Sequence, residues 1–85
     1  MLRAIIELEL KSPYSESINI LNEFNKLWGC ILLRGGTLKE EAIISIPIKS
    51  FKTIFGVNPL VGEYDVPKGT EHFIFSWKVI RITVE

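Results

Sequence analysis

The sequence is poor in the residues that usually carry chemistry: its 85 residues include one Cys, one His and one Asp. A lone Cys30 cannot close an internal disulfide, which excludes the small secreted domains held together by such bonds. One Cys and one His do not make an ordinary protein zinc site. Neither His72 nor Asp65 lies near a nucleophile turn, so a Ser-His-Asp group is not expected. The chain therefore reads as non-enzymatic, without metal or cofactor. It also lacks net charge, because ten Lys plus Arg balance ten Asp plus Glu. Without a basic cluster it lacks the electrostatic term behind most nucleic-acid affinity, and without a polybasic stretch nothing holds it to an anionic membrane. No apolar run approaches the ~18 residues of a membrane span. Glu7 and Glu9 stand where a signal peptide needs an unbroken apolar region, so the expected location is cytoplasmic.

What is present is a 47% hydrophobic chain, enough for one core, and its length allows only one domain, residues 1–85. Residues 2–10 alternate, with Leu2, Ala4, Ile6, Leu8 and Leu10 on one side and Arg3, Ile5, Glu7 and Glu9 on the other. That period of two predicts a strand with one buried face. Ser12-Pro13 reads as a helix cap, and Ile20, Leu21, Phe24, Leu27 and Trp28 form a helical stripe closed by Gly29. Cys30 to Arg34 and Ala42 to Ile46 read as strands, with Gly35-Gly36 as a turn and Glu40-Glu41 as solvated charges. Ile48, Phe51, Ile54 and Phe55 predict a second helix that Gly56 ends. Residues 57–69 read as a long loop, Thr70 to Ser76 as one or two helical turns, and Trp77 to Glu85 as the last strand.

The order β-α-β-β-α-β predicts an α+β, ferredoxin-like fold, a four-stranded antiparallel sheet with two helices on one face. The first and third strands would be the central pair. They offer Ile, Leu, Ala and Ser rather than the aromatics that stack bases, which argues against an RNA-recognition module. On the face left bare, Ile5, Ile43, Trp77 and Val79, with Arg81 beside them, form an expected partner-binding surface. The competing reading places Trp77 at a strand end, where it caps the edge of the core.

From Ala42 onward the layout resembles a known arrangement. An apolar strand runs into a short helix ending Phe51-Lys52-Thr53-Ile54-Phe55-Gly56-Val57. Then come Gly62-Glu63-Tyr64, Val66-Pro67, a short turn and a final apolar strand. This resembles the activation propeptide of sedolisin- or kumamolisin-type serine peptidases. The resemblance implies a stand-alone, propeptide-like module that binds a protein partner through its open sheet face. The partner class it implies is a subtilisin-like peptidase, which such a domain inhibits or helps to fold. Two other functions fit the residues: a structural protein forming homo-oligomers through the sheet, and a small-molecule-binding regulatory domain.

Overall fold

The alternation of residues 2–10 produces β1 (Leu2–Leu10), and Ala4, Ile6, Leu8 and Leu10 are buried as that pattern requires. The structure, a computed structural model, describes residues 2–11, 22, 26, 28–35 and 41–84. β2 (Ile31–Gly35) and β3 (Glu41–Pro47) follow, and β3 turns its Ala42, Ile44 and Ile46 inward. Pro47 leads directly into α1 (Ile48–Phe55), as a residue without an N–H can at a helix entry. Gly56 closes α1 in the left-handed conformation (φ 74°), and its N–H donates to the Lys52 carbonyl at 2.7 Å. β4 (Gly62–Tyr64) and β5 (Ile74–Val84) complete the chain.

These strands form one antiparallel sheet in the order β2-β3-β1-β5-β4. The fold is α+β, but the expected four-stranded βαββαβ arrangement with two helices on one face is corrected to a five-stranded sheet with one delimited helix. Two local facts cause the difference. Gly62-Glu63-Tyr64, inside the stretch read as loop, pairs with Val79, Lys78 and Trp77 and adds a strand. Thr70 to Ser76 holds only one turn, closed by the Phe73 and Ile74 N–H groups donating to the Thr70 carbonyl (3.1 and 2.9 Å). Extended backbone begins at Ile74, three residues before the expected strand. β1 is therefore the central strand, flanked by β3 and β5. The expected first helix lies outside the described residues, including Ser12, Pro13, Ile20, Leu21, Phe24 and Leu27; only Asn22, Lys26 and Trp28 are described there, and they are helical. The Gly36 turn position and Glu40 also lie outside the described residues.

The core sits between α1 and the sheet face carrying Ala4, Ile6, Leu8, Ala42, Ile44 and Ile46. Phe51 anchors α1. It stacks on Phe55 (4.4 Å between ring centres) and meets the edge of Tyr64 (5.1 Å), while Phe55 reaches Trp77 (5.5 Å). Burying each such side chain contributes about 1.5–3 kcal/mol, so this aromatic group binds α1 to β4 and β5. The radius of gyration, 11.8 Å, matches the roughly 12 Å expected of one compact 85-residue domain.

The register of β5 on β1 slips twice. Ile80 is the extra residue between the pairs Ile5–Arg81 and Ile6–Val79, and Phe75 is the extra residue between Glu9–Ser76 and Leu10–Ile74. Each extra residue shifts the alternation by one position. Trp77 and Val79 consequently share the face of Leu8 and Ile6, and both are 1% exposed. Their expected place on the bare face is corrected: they belong to the core.

Candidate binding surface

The face opposite α1 begins with Arg3, which is buried and heavily bonded. Its Nε donates to the Ser45 hydroxyl (2.5 Å), and its Nη2 donates to the carbonyls of Ser45 (2.9 Å) and Gly29 (2.8 Å). A guanidinium out of water is tolerable only with such acceptors, so this end of the face serves structure. Ile5 lies next along β1, opposite Ser45 and Arg81, and is itself only 4% exposed. Ile43 is half-buried beside Glu7, and Arg81 is exposed. Of the five expected contact residues, the sheet brings Ile5, Ile43 and Arg81 to this face and takes Trp77 and Val79 from it. No continuous apolar patch results.

The opposite end of the face is acidic. Glu9 pairs with Glu41 on β3 and Ser76 on β5, and Lys78 pairs with Glu7 on β1 and Glu63 on β4. The Ser76 hydroxyl donates to Glu9 Oε2 at 2.9 Å, and Lys78 Nζ lies 3.8 Å from Glu7 Oε1. A depression of about 190 Å³ is lined by Glu7, Glu9, Glu41 and Glu63, with Lys78 the only cationic side chain lining it among the described residues. A second groove of about 260 Å³ adjoins it, sharing Glu63, Ser76 and Lys78, and adds Tyr64, Asp65, Val66, Phe75 and Trp77. The bulge in β5 explains Phe75: as the unpaired extra residue it is pushed out of the ladder and stands 65% exposed. Tyr64, whose ring packs on Phe51 and Phe55 of α1, is held in place because its hydroxyl donates to the Leu60 carbonyl (2.9 Å) and accepts from the Leu60 N–H (2.5 Å).

This corner therefore combines an exposed ring, a rigid phenol and carboxylates from three strands. Chemically it suits a cation presented on a carbon chain, which gains from ring face and carboxylate together. His72, Cys30 and Glu71 stand elsewhere. His72 is exposed on the turn before β5, with its ring 5.1 Å from Phe73. Burial pushes the Cys30 thiol up to about 12, against a small opposing pull from Arg3, which keeps it protonated. Glu71 is held below the usual carboxylate range by its own N–H and the Gly69 N–H, and that turn is separate from the acidic strip. Among the described residues no three His, Cys, Asp or Glu side chains are placed to hold a metal ion. No helix among them is long and apolar enough to cross a membrane.

Glu7 and Glu9 were legible as outward residues from the alternation of β1. Phe75, Glu63 and Tyr64 were not, because a bulge and a three-residue strand leave no periodic signal. No family model, curated protein or solved structure matches this chain.

Proposed function

We propose that this chain is a non-enzymatic protein-binding module that takes a basic segment of its partner at the corner between β4 and β5. The observation that carries this reading is Phe75, an aromatic ring put into solvent by a bulge, which lines one groove with Glu63 and Asp65 next to a depression lined by Glu7, Glu9 and Glu41; among the described residues lining the two, Lys78 alone is cationic. The chain as a whole is neutral, so this local excess is a patch rather than a property of the whole. Size supports a side chain over a free metabolite, because the groove's roughly 260 Å³ falls below the ~300–1,000 Å³ of ordinary small-molecule pockets. With Trp77 and Val79 inside, the bare sheet face no longer supplies the contact, and the corner takes its place.

Fluorescence anisotropy with labelled peptides of equal length, one rich in Lys and Arg and one rich in Glu, tests the reading. The basic peptide is expected to bind, and to weaken as salt rises. Phe75→Ser should lower its affinity about five-fold, the worth of one exposed ring–cation contact. Glu63→Lys should lower it further. Equal binding of both peptides, or basic-peptide binding unaffected by either substitution, would overturn the proposal.

A further inference from the structure

β5 has eleven residues, but β4 pairs only with Trp77, Lys78 and Val79. Beyond Val79 the strand is bonded to β1 on one side, and among the described residues no strand pairs with its other side. Past the Ile80 bulge the ladder is regular: Arg81 opposes Ile5, Ile82 opposes Ala4, Thr83 opposes Arg3 and Val84 opposes Leu2. This stretch carries apolar side chains at an open edge, as β2 also does with Ile31, Leu32 and Leu33. Ile82 is 39% exposed, Val84 78%, and Leu2 beside it 49%. Arg81–Val84 holds no Lys or Pro, and Arg81 is its one charged residue. β2, the edge on the far side, differs, because a register slip at Leu33 interrupts its ladder.

We infer that Ile80–Val84 pairs antiparallel with the same segment of a second copy, about a two-fold axis through Ile82. A second copy is the occupant that the charges and side chains favour. With Ile82 on the axis, it faces its own counterpart, Ile80 faces Val84 of the other copy, and Arg81 faces Thr83, so no like charges oppose. Every side chain so paired is β-branched except Arg81, the composition that packs best across an antiparallel ladder. An axis perpendicular to the sheet keeps the two α1 faces on one side. The zero net charge of the chain adds no long-range repulsion between copies. β4 stops at Gly62, opposite Val79, and leaves the edge from Ile80 onward without a paired strand of its own. The contact is short of the roughly 1,000 Å² of a permanent interface, so the dimer is weak and concentration-dependent.

The test combines mass and cross-linking. Sedimentation equilibrium should show the mass rising from one chain toward two between about 10 µM and 1 mM, the range of a small interface. Ile82→Lys should return it to one chain, with an unchanged circular dichroism spectrum showing that the variant is folded. Ile82→Cys should then form an intermolecular disulfide under mild oxidation, because directly opposed residues hold their Cβ atoms about 4.5–5.5 Å apart, close to disulfide range. Val84→Cys is the control: it is more exposed, so random collision would cross-link it faster, whereas the two-fold pairing sets it against Ile80. The native Cys30 stays silent, being buried and protonated. Faster coupling of Ile82→Cys than Val84→Cys supports the pairing. A mass of one chain at every concentration, a dimer that survives Ile82→Lys, or the reverse order of coupling overturns it.

Discussion

β5 carries two bulges with opposite results. The one at Phe75 expels an aromatic ring from the ladder into solvent, while the one at Ile80 leaves its own residue half-buried and resets the strand beyond it. Between them, Trp77 and Val79 are sealed under α1. Beyond the second, Ile82 and Val84 point to the same side of the sheet yet remain exposed, because the helical layer over Trp77 does not cover them. One strand therefore supplies core in its middle and exposed apolar surface toward both ends. The division is set by register, since hydrophobicity runs high throughout.

Substitutions along the strand can break that comparison. The largest effect belongs to Trp77→Ala, which removes one of the largest fully buried side chains and should cost about 3–5 kcal/mol in a urea melt. A near-wild-type melt would return Trp77 to the surface. Arg3→Met comes next. It leaves the Ser45 hydroxyl and the Gly29 carbonyl without the donor they now have, at about 1–3 kcal/mol. Because Arg3 lies beside Thr83, amide exchange should accelerate more across Arg81–Val84 than across Ile74–Val79, and uniform acceleration would show the two halves opening as one unit. Ile82→Ala, at a half-covered site, should cost about 1 kcal/mol or less at dilutions where the chain is monomeric. Phe75→Ser should be smallest, within about 0.5 kcal/mol, as for an exposed position free of special contacts.

Much of the fold was legible in the residues. The alternation of Leu2 to Leu10 placed β1 and its buried face, and Phe51 and Gly56 placed the anchor and end of α1, while the residues of β3 left open which of its sides, Ala42, Ile44 and Ile46 or Ile43 and Ser45, turns inward. Two kinds of information were missing. Gly62-Glu63-Tyr64 lies in a turn-rich stretch and becomes a strand only because β5 offers it an edge, a tertiary cause that leaves no local trace. The bulges arise where two backbones fail to keep step, so Trp77 and Val79 looked outward when counted back from Ile82 and Val84. The same slip hid the candidate site. Glu7 and Glu9 announced half of it, while Phe75 looked like one more apolar residue in a Phe-Ile-Phe run.

The central position of β1 has a consequence for how the chain is made. Its two neighbours in the sheet come from far along the sequence, and the Ser76–Glu9 hydrogen bond spans 67 residues. β1 leaves the ribosome before β5 and must wait, with one edge unpaired, until β5 arrives beside it. Topologies of that kind assemble slowly and expose sticky intermediates meanwhile. A nascent chain halted before Ile74 should therefore depend on chaperones that the finished protein no longer requires.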